Sequence, residues 1–205
     1  MQDSTDQPLI MRPEDFLQKA CDPTAWRTKA VSLRRSADVV WDEFLRRSQD
    51  AINKETDLFD DDKYNEATDI LRNSQFLYSL AVECALKGLI IKQQPTEVIF
   101  ETTVNGTGSL INARFKQKEK NQFDHDLEKL AEMSGMVGND EHAEIRELLR
   151  FSTFCINWFG RYPVPLDTMK SKFIPRGKLP GSAFYHCYRD LMDPFLDRVM
   201  ATLDS

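Results

Sequence analysis

The run FLYSLAVECALKGLIIK at 76–92 constrains what this chain folds into more than any other segment. Its spacing predicts a long helix with one charged pair inside it. Glu83 and Lys87 stand four residues apart with the glutamate first, the favourable order for a pair along a helix. Leu77, Leu80, Ala81, Cys84, Leu86, Leu89 and Ile90 cover most of the remaining circumference. A helix so apolar all round has to be enclosed by other elements, so it is expected at the centre of a core. The pair itself reads either as a structural one at the edge of that core, where burial would add little stability, or as functional groups in a cleft.

The flanking segments are helical too. Pro13, followed by Glu14 and Asp15, opens a short helix to about Ala20. Asp22 and Pro23 repeat that signal for a helix carrying Trp26, Ala30, Leu33, Ala37, Val40, Trp41, Phe44 and Leu45, expected to end near Asn53. An acidic turn at 57–62 precedes the central helix, predicted from about Lys63 to Gln93 and stopped by Pro95. Residues 95–121 form an irregular insertion, in which 102–108 suggest the turn of a small hairpin or a loose loop. Asp124 is expected to cap a short helix over 125–135, and Asn139 one carrying Ile145, Leu148, Leu149, Ser152, Cys155, Ile156 and Phe159, ended by Gly160 and Pro163. A last helix spans about 182–203, with Pro194 kinking or splitting it. Helix after helix predicts an all-α, up-and-down bundle of five or six helices, with a flexible N-terminus over 1–12 and a single domain over 13–205.

At 205 residues the chain is long enough to bury a core without disulfides or metals. Its formal net charge of -6 repels nucleic acid and anionic membrane as a whole, so contact with RNA would need the local basic runs at 114–120 and 170–178. Cys21, Cys84, Cys155 and Cys187 lie far apart; three sit among apolar neighbours, which predicts buried free thiols and fits a reducing cytoplasm. No secretion signal opens the sequence, and no apolar run reaches the ~18 residues of a membrane span. The pair Gly106 and Gly108 lacks the lysine and the strand-to-helix setting of a phosphate loop. His125, His142 and His186 share no helical turn, so neither a metal nor a cofactor is expected. A GxSxG elbow is absent, and the common enzyme classes lose their usual signals.

Three segments in order, LAVECALKGLI at 80–90, HDLEKLA at 125–131 and GRYP at 160–163, resemble the HEPN (higher eukaryotes and prokaryotes nucleotide-binding) superfamily of small helical bundles. The resemblance covers about 60–165. It implies a homodimer and an RNA-directed or nucleotide-directed role, often in toxin–antitoxin or phage-defence systems. The family's ribonuclease motif, an arginine followed after four to six residues by histidine, is missing here: Phe151, Ser152, Thr153, Cys155, Ile156 and Asn157 stand where histidine would follow Arg146 or Arg150. The expectation is therefore a HEPN-like protein that binds RNA, a nucleotide or a protein partner. Its contact groove would lie near His125, Arg161 and Tyr162, with Glu83, Lys87, Asp126, Lys120 and Arg114 as further candidate ligand-binding residues. The alternatives are a metal-independent ribonuclease, with His125 as base and Arg161 or Lys120 on the phosphate, and a structural or immunity-type interaction protein. Set against these, His125 reads as part of a helix cap, Arg161 and Tyr162 as a helix terminus, and the basic runs as solvated surface.

Overall fold

The structure, a computed structural model, describes residues 11–52, 60–96, 98–116, 124–138, 143–159 and 173–205. Six α-helices and one two-stranded sheet make up the described fold. Helices α1 (Pro13–Ala20) and α2 (Pro23–Asp50) both begin on a proline, whose missing N–H costs nothing in a first turn. Asp22 caps α2 by accepting from the Thr24 N–H at 2.9 Å. Helix α3 (Asp61–Gln93) is capped by Asp60, which accepts from the Lys63 N–H at 3.1 Å. It starts two residues earlier than expected because Asp61 and Asp62 join its first turn, where negative charge is favoured. Helix α2 stops at Asp50, short of the expected Asn53.

Helix α3 takes the central place its composition predicts. It packs against α2, α4 (Leu127–Met133), α5 (Ala143–Phe154) and α6 (Tyr188–Asp204). Tyr78, Ala81, Val82, Ala85 and Leu86 are fully buried there. By length and composition α3 is apolar enough to cross a membrane, but 78% of that stretch is buried inside the protein, as in a core helix. Gly88 permits the close approach of α2: a Cβ there would stand 2.9 Å from the Trp26 Cβ and 3.3 Å from a Leu203 methyl. Gly88→Ala should therefore destabilise the fold by about 1–3 kcal/mol despite alanine's better helix propensity. Urea unfolding measures it, and an unchanged midpoint would mean that α2 and α3 stand further apart.

The far side of α3 is closed by a buried polar junction. The Tyr188 hydroxyl of α6 lies 3.0 Å from Ser79 Oγ of α3 and 2.8 Å from Ser152 Oγ of α5. All three side chains are buried, so the shared hydrogen bonds satisfy groups that water does not reach.

The insertion contains an antiparallel hairpin of β1 (Phe100–Val104) and β2 (Leu110–Phe115). The Asn105 carboxamide organises its turn, accepting from the Thr107 and Ser109 N–H groups at 3.0 and 2.9 Å. Gly108 adopts φ +83°, which only glycine takes at no steric cost. The strands are pinned to the bundle by rings: Phe115 lies 5.7 Å from Phe16 and 4.9 Å from Phe100, centroid to centroid.

Several expectations need correction. Helix α4 begins at Leu127 with Asp126 as its cap, not Asp124; Asp126 accepts from the Lys129 N–H at 3.1 Å. Asp124 instead accepts from the N–H of His125. Helix α5 passes into one π-helical turn, Cys155–Phe159. Pro194 does not split the last helix, which is continuous over Tyr188–Asp204 and follows a separate 3₁₀ turn, Gly181–Phe184. The free thiols are not mostly buried. Cys155 alone is fully so, Cys84 is half-buried, and Cys21 and Cys187 are exposed because they sit at helix ends. The expected Asn139 cap and the Gly160 and Pro163 terminator lie outside the described residues.

Candidate functional site

His125 occupies the turn just before α4, and two neighbouring helices fix that turn. Asp126 starts α4, while the Leu127 N–H donates to Thr153 Oγ1 of α5 at 3.0 Å. The imidazole then reaches α3, where its Nδ1 lies 3.1 Å from both carboxylate oxygens of Glu83. A carboxylate only accepts, so Nδ1 carries the proton and donates it to Glu83. On its other side Glu83 is paired with the Lys87 ammonium one turn along α3.

Exposure differs sharply along this chain of three. The Glu83 and Lys87 side chains keep 8% and 7% of their exposure, whereas the His125 side chain keeps 36%. The pair thus sits inside the core rather than at its edge, and it anchors an imidazole that opens to solvent. Ion pairing and the imidazole hydrogen bond offset the cost of taking Glu83 out of water. The adjacent Cys84 thiol is pushed up to about 11, first by its own burial and then by the Glu83 charge, which keeps it protonated and non-nucleophilic at neutral pH.

Glu83, Lys87 and His125 were each legible as candidates, and the fold brings them into one constellation. Asp126 is spent on the helix cap. Arg114 is not brought to this site: it pairs across the hairpin with Glu101, Nε to carboxylate at 2.8 Å, and its side chain is 72% exposed. Lys120, Arg161 and Tyr162 lie outside the described residues. Among the described residues no group of three His, Cys, Asp or Glu side chains is placed to hold a metal.

Two of the cavities that escaped the sequence reading lie against α5, and neither is lined by Glu83, Lys87 or His125. The larger, of about 460 Å³, is lined by five aromatic side chains from α5, the 3₁₀ turn and the segments beside it, and by Thr68, Leu71, Arg72 and Gln75 of α3. The smaller, of about 170 Å³, is lined by Arg146, Glu147, Arg150, Arg176 and Lys178. The available signal was the charged face of α5 at 146–150 followed by a second basic run at 176–178, which as a pattern looks like solvated surface. No protein family, curated protein or solved structure matches this chain.

Proposed function

We propose that this chain is a HEPN-like helical protein that binds RNA or a nucleotide where α4 meets α3, with His125 as the group that meets the ligand. The observation that carries the reading is the His125–Glu83–Lys87 constellation. A buried ion pair contributes less to stability than well-packed apolar residues of the same volume. What it supplies and leucine cannot is a fixed orientation and proton position for a solvent-reaching imidazole. Such a ring is suited to hydrogen bonding with a phosphate or a base edge. Two of the segments on which the resemblance rests, at 80–90 and 125–131, supply the interacting residues, which supports the reading further. Homodimerisation, a cytoplasmic setting and a role in bacterial stress or phage defence belong to the same proposal.

One geometric feature favours a second reading, metal-independent RNA cleavage. An imidazole whose Nδ1 is held by a carboxylate is arranged as a general base for a 2′-hydroxyl. Lys120 and Arg161 would then be candidates for the phosphate.

A single assay separates the two. A fluorescent single-stranded RNA titrated with the protein should bind, with log affinity falling linearly in log salt. His125→Gln should weaken that binding about tenfold, with its melting temperature checked in parallel. RNA left intact supports binding alone. Cutting in the presence of chelator, lost in His125→Gln, supports the nuclease. Undetectable binding at low salt, or equal binding by the variant, rejects His125 as the contact.

A further inference from the structure

We propose that the small cavity against α5 is an oxyanion site, taking the phosphate of a phosphomonoester whose apolar body lies in the adjoining aromatic cavity. The case begins with Glu147, which is 1% exposed. Its two carboxylate oxygens accept the backbone N–H groups of Arg176 and Lys178, the latter at 2.8 Å. Gly177 between them has φ +76°, a conformation that other residues rarely adopt, and so the two N–H groups converge on one carboxylate. Glu147 is thereby committed to the backbone, and the clamp brings the Arg176 and Lys178 side chains to the cavity wall.

The other two arginines of the wall differ in what they touch. Arg146 is consumed: it contacts Glu128 at 3.1 Å, pairs with Glu132 and donates to the Gly138 carbonyl at 2.6 Å. Arg150 is not. Its Nε and Nη2 atoms are buried and have no acceptor among the described residues. These two nitrogens form one edge of the guanidinium, the edge that grips two oxygens of a phosphate or carboxylate side by side. A cation buried with that edge unmet is costly, and a turn of the side chain that brings the edge into the cavity lets an incoming oxyanion remove the cost. Arg150, Arg176 and Lys178 together outnumber the single carboxylate of Glu147, which suits a dianion better than a monoanion.

The apolar half follows from two pairs of chain neighbours that line one cavity each. The Arg150 guanidinium lies 6.0 Å from the centre of the Phe173 ring, and Phe173 lines the larger cavity with Phe151, Phe154, Phe184 and Tyr185. Phe151 and Pro175 face the larger cavity while their chain neighbours Arg150 and Arg176 face the smaller. A space of about 460 Å³ is of the size that holds a small ring system.

Calorimetric titration of the full chain with inorganic phosphate, 1-naphthyl phosphate and 1-naphthol tests the idea. Naphthyl phosphate should bind at least tenfold more tightly than either of the other two. Arg150→Gln should weaken it at least tenfold, Arg150→Lys should restore only part of that loss because the bidentate edge is gone, and the exposed Lys178→Gln should weaken it about threefold. Lys178→Gln carries the test if Arg150→Gln fails to fold. Phe173→Ala should weaken naphthyl phosphate while leaving inorganic phosphate unchanged. No binding of naphthyl phosphate at millimolar concentration, or binding indifferent to the Arg150 and Lys178 substitutions, overturns the site. Equal affinity for phosphate and naphthyl phosphate overturns its apolar half.

Discussion

Replacing Glu83 with alanine is expected to destabilise the protein by about 3–5 kcal/mol, because the buried Lys87 ammonium loses the carboxylate it is paired with on α3. The loss of a few methylenes is a minor part of that figure; the broken ion pair dominates. The same argument predicts the opposite for a paired replacement. Glu83→Leu combined with Lys87→Met removes both charges and fills similar volume, so its stability should fall within about 1–2 kcal/mol of the parent protein. Urea unfolding of the single and double variants provides the comparison. The double variant has a second use: it folds without the Glu83 carboxylate that accepts from the imidazole of His125. Weak RNA binding by that variant would locate the loss in the site rather than in the fold. A single variant as stable as the parent would mean that Lys87 does not depend on Glu83 for charge compensation.

The second large effect is expected at Glu147. Glu147→Ala strips the acceptor from two backbone N–H groups, those of Arg176 and Lys178, held against a nearly fully buried side chain. Each hydrogen bond to the charged carboxylate contributes about 1.5–3 kcal/mol, so a total of about 3–6 kcal/mol is expected. The damage should be local as well as global. Hydrogen exchange at the Arg176 and Lys178 amides should accelerate far more than at the α3 amides near Leu86. Uniform acceleration throughout the chain would instead indicate that Glu147 supports the whole fold and not the segment it clamps.

How much of this was legible in the sequence depends on the range of the interaction. The apolar run at 76–92 located the core helix because burial on all faces needs apolar residues on all faces, a purely local signal. Pro13, Asp22 with Pro23, and the acidic turn ahead of α3 marked helix starts for equally local reasons. Where two local signals competed, the pattern failed. Asp124 and Asp126 both qualify as caps for α4, and only the path that lets Leu127 reach Thr153 selects the second. The contact of His125 with Glu83 spans 42 positions and exists because α4 folds back on α3, which no spacing rule encodes. Glu147 was hidden for a related reason: its partners are backbone N–H groups, which leave no mark in a sequence. The hairpin was half visible. Its Asn105 to Ser109 turn has the right residues, but the packing of Phe100 and Phe115 on Phe16 joins segments that look unrelated. The thiols were misjudged from neighbouring residue types, whereas position at a helix end decides exposure for Cys21 and Cys187.

The central claim is that a carboxylate buried in α3 holds the imidazole of His125 in place, and a double-mutant cycle between the two tests it most directly. Glu83→Gln, His125→Gln and the combined variant would be unfolded in urea alongside the parent protein. A coupling energy of about 1 kcal/mol or more is predicted, since the residues share one hydrogen-bonded network. Additive effects, with coupling below about 0.3 kcal/mol, would contradict the account and leave His125 as one more surface side chain.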